Sequence, residues 1–171
     1  MTEVAVIQMT SGPDVAANLY EAGRLITQAA ESGAKLVVLP ENFCLMPMVD
    51  SDRLTHMEKD GDGHIQSFLA ETARRNDLWL VGGTVPLAAD NPERCRSACL
   101  VYNDQGERVA RYDKMHMFDV ELSNAEAYTE STTIEAGTQT VVLDTPFGRL
   151  GLAICYDLRF PELFRELSEQ G

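Results

Sequence analysis

The sequence predicts an α/β fold in a single domain over residues 1–171, and two neighbouring features carry that prediction. Near-continuous apolar runs at residues 3–9 and 36–39 are typical of strands covered on both faces. Residues 14–32, between them, place apolar side chains at the spacing of an amphipathic helix, namely Leu19, Ala22, Ile26 and Ala29. Strand, helix and strand in this order form the building unit of an α/β sheet.

Further elements follow along the chain. The pattern predicts a helix at 64–76, a strand at 79–85 that Pro86 ends, a hairpin of 97–102 with 107–112, paired strands at 140–143 and 150–154, and a last helix at 161–170. Two long irregular stretches, 44–63 and 115–137, separate these elements. Loops of this length often lie near a binding site.

Composition excludes several classes of function. The net charge of −13 argues against broad nucleic-acid binding, which needs a basic surface, and indicates only a well-solvated surface. No apolar run reaches the roughly 18 residues of a membrane span. Residues 1–10 lack the basic start and long apolar run of a signal peptide, so we expect a cytoplasmic location.

One internal similarity bears on chain length. A helix, a Glu-Ser-Gly turn and a strand occupy residues 25–39, and a helix followed by Glu-Gln-Gly occupies residues 163–171. By analogy we expect a strand after Gly171, so that the sequence is part of a longer protein. Alternatively, Gly171 terminates the last helix at a natural end.

Cysteine and histidine spacing does not indicate a metal. None of the four cysteines (Cys44, Cys95, Cys99 and Cys155) forms a C-x-x-C pair, and the three histidines are not spaced like ligands. We therefore expect no structural zinc site. In a cytosolic chain, a cysteine is either a nucleophile or, more commonly, a buried and inert residue.

Cys155 is the candidate nucleophile. It follows the apolar segment 150–154 and precedes a turn and a helix, and such a turn exposes a side chain on a rigid support. Backbone N–H groups at this turn can hold an oxyanion. A small core cysteine at a strand end remains the alternative.

Two charged residues also follow predicted strands. Glu41 comes directly after Pro40, which ends the strand at 36–39, and desolvation there favours a general base, although an exposed loop glutamate fits as well. Lys114 ends the hairpin strand, and an ammonium near a thiol favours thiolate and stabilises an oxyanion, although a surface lysine is the alternative. His116 suggests a Cys–His dyad, but the segment around Cys155 does not resemble that of papain-type proteases.

Three segments together resemble the nitrilase superfamily of carbon–nitrogen hydrolases. They read LPENF at 39–43, YDKMHMFD at 112–119 and GLAICYDLRFPEL at 151–163, in the family's order. One such motif would be a weak signal, whereas three in order are specific. The resemblance spans the whole chain but only about the first two-thirds of a usual member.

The resemblance implies a four-layer α–β–β–α sandwich, incomplete at its carboxyl end, and a Glu-Lys-Cys triad. Glu41 would be the general base, Lys114 the oxyanion stabiliser and Cys155 the nucleophile. A second glutamate, which positions the lysine and the substrate, would be Glu130, with Glu126 and Glu135 as nearby alternatives. The family chemistry needs no metal or organic cofactor.

The implied reaction is amide hydrolysis through a cysteine thioester, with the backbone N–H of Tyr156 helping to hold the oxyanion. The chain looks most like Nit-type amidases, which implies a small carboxylate-bearing amide, such as deaminated glutathione or an ω-amide of a keto acid. Arg159 would clamp that carboxylate, or would instead pair with Glu162. The resemblance also implies a homodimer or higher homo-oligomer for the complete protein.

Other functions remain open from the sequence. The chain could be a non-catalytic fragment or scaffold of the same fold, or a nitrilase or N-carbamoyl hydrolase with a different substrate. A nucleotide-binding module is disfavoured, because the sequence contains neither G-x-G-x-x-G nor G-x-x-x-x-G-K-[ST].

Overall fold

The computed structural model describes residues 3–121 and 127–171. Its helices are α1 (Val15–Glu31), α2 (Asp52–Thr55), α3 (His64–Asn76) and α4 (Pro161–Glu169). Its strands are β1 (Val4–Val6), β2 (Leu36–Val38), β3 (Trp79–Val81), β4 (Val85–Ala88), β5 (Cys95–Tyr102), β6 (Arg108–Asp113), β7 (Asp119–Glu121), β8 (Ala127–Thr129), β9 (Val142–Thr145) and β10 (Gly148–Gly151). Short 3₁₀ helices cover Glu130–Thr132 and Cys155–Arg159.

A six-stranded mixed sheet forms the centre of the molecule. Strands β1, β2 and β3 run parallel, with α1 and α3 as the connections between them, and β5 pairs antiparallel with β3. Both β4 and β6 are antiparallel to β5 and meet it from opposite edges at Ala98. At Val101, β5 pairs with β3 on one edge and with β6 on the other. Since β6 lies opposite both β3 and β4, these two strands share the same edge of β5.

The layers follow from the faces of this sheet. One face packs against α1 and α3 through Ile26, Leu69 and Val37. The other face packs against the β9–β10 hairpin and the segment after it, where Leu152 and Ile154 are buried. Helix α4 lies against β10. The side chain of Leu167 comes so close to Gly151 that a Cβ atom at this glycine would lie 3.2 Å from it. The layers are therefore two helices, the six-stranded sheet, the β9–β10 hairpin and α4, and this order confirms the α–β–β–α prediction.

The third predicted strand differs from the structure. It divides into β3 and β4 around Gly82 and Gly83, and the expectation that Pro86 ends the strand is wrong. The Pro86 carbonyl accepts a hydrogen bond from Glu58 N on the side away from β5. The missing N–H of Pro86 therefore faces that outer side, where a proline removes no hydrogen bond to β5.

Strand β1 and the two irregular stretches also depart from expectation. Val4 and Val6 are 56% and 79% exposed, because the second layer packs on β2, β3, β5 and β6 but not on β1. Strand β10 ends at Gly151, so residues 152–154 continue the chain toward the next turn outside the strand. The stretch 44–63 contains α2, and the stretch 115–137 contains the β7–β8 hairpin.

Candidate functional site

Lys114 occupies the centre of the candidate site. It directly follows β6, and its backbone N–H donates to Ser97 O at 3.0 Å, which continues the pairing with β5. Its side chain is 1% exposed, and its ammonium donates to Glu41 Oε1 at 2.8 Å and to both carboxylate oxygens of Glu130 at 2.9 Å. A buried ammonium between two carboxylates satisfies its charge without water.

A tight turn after β2 aims Glu41 at this lysine. The next residue, Asn42, has a φ of 57°, and its N–H donates to Thr84 Oγ1 at 2.8 Å. Gly83 has a φ of 54°, and a Cβ there would lie 2.1 Å from Pro40 O. Only glycine lets the chain after β3 approach the Glu41 turn this closely.

Glu130 reaches the lysine from the 3₁₀ turn after β8. Its Oε2 also accepts a hydrogen bond from Phe118 N at 2.7 Å, which fixes the carboxylate from a second direction. The sequence alternative Glu135 lies elsewhere, paired with Arg96 and accepting a hydrogen bond from Asn91 N at 3.2 Å. The other alternative, Glu126, lies outside the described residues.

Cys155 begins the 3₁₀ turn that connects the segment after β10 to α4. It adopts a φ of 47°, a left-handed conformation that is strained for a residue with a side chain and is often found at functional sites. Cys155 is exposed, whereas the other cysteines are buried. Burial raises the pKa of Cys44 and Cys99 to about 12 and that of Cys95 to about 11, so those thiols stay protonated.

Charge and burial act in opposite directions within the site. Burial alone would lower the pKa of Lys114, but its bonds to Glu41 and Glu130 outweigh burial and raise that pKa, so the lysine stays charged. Atoms packed around the thiol, and then the carboxylate of Glu41, raise the pKa of Cys155, while Lys114 counteracts them. Cys155 therefore rests as a protonated thiol.

The sequence analysis missed Asp157, a fully buried carboxylate two residues after Cys155. It accepts hydrogen bonds from Tyr112 Oη at 2.7 Å, from Ile154 N at 2.9 Å, and from His116 N and Nδ1 at 3.0 and 2.6 Å. His116 is thus held against Asp157, and the charged groups that act on the Cys155 thiol are Glu41, Lys114 and Glu130. Burial and the bond to Asp157 raise the pKa of Tyr112 far above its ordinary value, so its hydroxyl donates.

Tyr156 and Arg159 occupy the same 3₁₀ turn. The Tyr156 ring packs edge-on against Phe118 at 5.1 Å and against Phe160 at 5.5 Å between ring centroids. The Tyr156 amide lies in the first turn of the short helix, where N–H groups lack intrahelical acceptors. Arg159 is exposed, and within the described residues it forms no ion pair with Glu162.

Metal sites and membrane-spanning helices are two further features that a chain of this composition could contain. Over residues 3–121 and 127–171, no cluster of three or more His, Cys, Asp or Glu side chains has the arrangement of a metal site. In those same ranges, none of the helices combines the length and apolarity needed to cross a bilayer.

Comparison with known proteins gives a consistent result. The sequence model of the family described as carbon-nitrogen hydrolase matches residues 3–171. The chain is 42% identical over 170 residues to the deaminated glutathione amidase of Yersinia enterocolitica, covering 98% of this chain and 59% of that protein. It is 34% identical over 176 residues to omega-amidase NIT3 of Saccharomyces cerevisiae, covering 99% of this chain and 60% of that protein.

Solved structures agree on the fold. The C. elegans NitFhit protein superposes with a TM-score of 0.83 at 32% identity, over 98% of this chain and 41% of that chain. An amidase from Nesterenkonia sp. AN1, with acrylamide added at its active-site cysteine, gives a TM-score of 0.84 at 26% identity, over 100% of this chain and 64% of that chain. The chain spans 59–60% of the length of the two amidases matched by sequence.

Proposed function

Because the chain belongs to the carbon–nitrogen hydrolase family, we propose that it carries the catalytic residues of a thiol amidase. The observation that supports this most is the position of Lys114, whose ammonium bonds Glu41 and Glu130 beside the exposed Cys155. A base, a cation and a nucleophile are the groups that thioester-forming amide hydrolysis requires.

The first half-reaction forms a thioester. Glu41 takes the thiol proton as Cys155 sulfur attacks the amide carbon, and the electron pair of the carbonyl moves onto its oxygen. The ammonium of Lys114 and the N–H of Tyr156 hold that oxyanion. When the oxyanion collapses, the C–N bond breaks, and the leaving nitrogen takes the proton from Glu41 and departs as ammonia.

The second half-reaction regenerates the thiol. Glu41 accepts a proton from water, and the resulting hydroxide attacks the thioester carbon. Collapse of this intermediate breaks the C–S bond, releases the carboxylic acid and returns the proton to the Cys155 sulfur. The raised pKa of the thiol fits this scheme, because a thiol that holds its proton needs the adjacent base in each cycle.

For the substrate we propose a small amide that carries a carboxylate, such as deaminated glutathione or the ω-amide of a keto acid. The names of the relatives support this class. Arg159 is exposed on the turn that carries Cys155 and has no ion-pair partner at Glu162, so its planar guanidinium is free of that contact. A nitrile or an N-carbamoyl amino acid is the competing substrate class.

We also propose that the complete protein is cytoplasmic and assembles as a homodimer or higher homo-oligomer. The apolar side chains of Leu158 and Phe164 are 71% and 36% exposed on the Cys155 turn and on α4. Contact between copies would remove this apolar surface from water. Reducing conditions suit a chain whose four cysteines are all free.

Ammonia release from a small ω-amide of a keto acid tests the proposal. The chain should release ammonia, Cys155→Ala should release none, and the buried-cysteine variant Cys99→Ala should retain activity if it is folded. Equal rates for Cys155→Ala and the parent would contradict the proposal. If the parent is inactive but folded and its Cys155 reacts normally with an alkylating agent, the non-catalytic scaffold is the correct alternative.

A further inference from the structure

Asp157 joins the two chain segments that carry the proposed lysine and nucleophile. It lies two residues after Cys155, and it contacts His116, which lies two residues after Lys114. We propose that Asp157 is a positioning residue that fixes the register between Lys114 and Cys155, an inference that rests on the proposed function of those two residues.

The partners of the two carboxylate oxygens support this role. Oδ1 accepts from the backbone and the ring of His116, at 3.0 and 2.6 Å. Oδ2 accepts from Ile154 N at 2.9 Å and from Tyr112 Oη at 2.7 Å. Each oxygen thus holds one backbone N–H, one from the lysine segment and one from the residue directly before Cys155. Few side chains other than a carboxylate offer two acceptors in this geometry.

The ring of His116 adds a second connection between the segments. It stacks on Phe160 with centroids 3.7 Å apart and an interplanar angle of 12°. Phe160 ends the 3₁₀ turn that Cys155 begins, and its N–H donates to Asp157 O at 3.0 Å. The turn is therefore held at its start by Oδ2 and at its end by the ring that Oδ1 orients.

An isosteric amide cannot replace this carboxylate. In Asp157→Asn, one oxygen becomes an NH₂ donor, and either rotamer places that donor opposite a backbone N–H, at His116 or at Ile154. The side chains of Tyr112 and His116 can exchange donor and acceptor roles, but a backbone N–H cannot. One segment must therefore lose its anchor, whichever way the amide turns.

The reactivity of the Cys155 thiol measures the relative position of the Lys114 and Cys155 segments without requiring substrate turnover. The pKa of Cys155 is raised by partial desolvation of its thiol and by the carboxylates of Glu41 and Glu130, and is lowered by the ammonium of Lys114, so it depends on where the turn lies relative to these groups. When the turn loses its anchor, the thiol should approach the behaviour of an ordinary cysteine. The pH midpoint of alkylation by iodoacetamide should then fall.

The test compares Asp157→Asn with Tyr112→Phe, which removes one bond to the same carboxylate but leaves both backbone anchors. We expect Asp157→Asn to lower the alkylation midpoint and to reduce kcat/KM for the ω-amide by about 100-fold, mainly through kcat. Tyr112→Phe should keep the midpoint of the parent. A parent-like midpoint in folded Asp157→Asn, or an equal shift in Tyr112→Phe, would overturn the proposal.

The positioning role of Asp157 can be tested even if the parent is inactive or the variant does not fold. If the parent shows no turnover, only the proposed function fails, because alkylation still reads the register. If Asp157→Asn does not fold, hydrogen exchange of the parent decides the question. The amides of His116 and Ile154 should then exchange with the same opening free energy, since one carboxylate holds both. Exchange with clearly different opening free energies would overturn the proposal.

Discussion

The ammonium of Lys114 lies 2.8 Å from a carboxylate oxygen of Glu41, although 73 residues separate them in the chain. The contact joins the end of β6 to the turn after β2, and β3 and β5 lie between those strands in the sheet. Residues at the ends of non-adjacent strands therefore meet in one buried ion pair, which Glu130 completes from the β8 side.

Removing the lysine should destabilise the fold. Lys114→Met leaves Glu41 and Glu130 facing each other without the cation between them, and we expect a loss of about 3 kcal/mol in the free energy of unfolding, measured by urea denaturation. The matched control is Lys35→Met, which removes an exposed ion pair with Asp77 and should cost less than about 1 kcal/mol. Equal losses in the two variants would contradict a stabilising role for the buried ion pairs of Lys114.

The stabilisation by the ion pairs of Lys114 should decrease at alkaline pH. The folded pKa of Lys114 is raised above its unfolded value, so its stabilisation is fully present below the unfolded pKa and is lost as pH rises through the folded one. The destabilisation of Lys114→Met should thus stay constant from neutrality to about pH 10 and shrink above it. A difference that grows above that pH would contradict the assigned direction.

Charge removal at Glu41 should change the reactivity of the thiol. Because the Glu41 carboxylate raises the pKa of Cys155, Glu41→Gln should lower the pH midpoint of alkylation by iodoacetamide. Glu135→Gln is the control, since Glu135 pairs with Arg96 and should leave the midpoint unchanged. An unchanged or raised midpoint in Glu41→Gln would contradict this effect of its charge on the thiol.

Glu130 should be the second carboxylate of the site. Glu130→Gln weakens the orientation of Lys114 and should reduce kcat for the ω-amide by about tenfold to 100-fold, whereas Glu135→Gln should retain kcat. Steady-state ammonia release measures both variants. A larger loss in Glu135→Gln than in Glu130→Gln would reverse this assignment.

Arg159 should select for a carboxylate on the substrate. Loss of a charged hydrogen-bonding partner predicts a rise of roughly 10- to 100-fold in KM for the carboxylate-bearing amide in Arg159→Met. The KM for a neutral amide of similar size should not change, and this comparison is the internal control. A similar rise for both amides would indicate a structural role for the arginine.

Local sequence pattern marked the candidate site residues but left each of them open between a functional and a structural role. Lys114 directly follows β6, Glu41 lies three residues after the end of β2, and Cys155 lies at a turn between β10 and α4, so their positions could be inferred from apolar runs and their interruptions. Their proximity could be expected only from the family resemblance. The choice of Glu130 over Glu135 depended on which side chain points to Lys114, and the pattern contains no such information.

Features that depend on distant contacts were missed. Asp157 has no local signature, because its partners Tyr112 and His116 come from another part of the chain. The strand through Pro86 could not be inferred, since a proline is tolerated only when its nitrogen faces away from the pairing edge. Val6 reads as a core residue, and its exposure depends on how far the second layer extends across the sheet.

Trapping of the acyl intermediate tests the central claim most directly. The chain is mixed with a small carboxylate-bearing ω-amide, quenched in acid, digested and analysed by mass spectrometry. We predict an acyl group on the peptide that contains Cys155, present in Cys99→Ala and absent in Cys155→Ala. Ammonia release by Cys155→Ala at the parent rate, or an acyl group attached to a different residue, would contradict the assignment of Cys155 as the nucleophile.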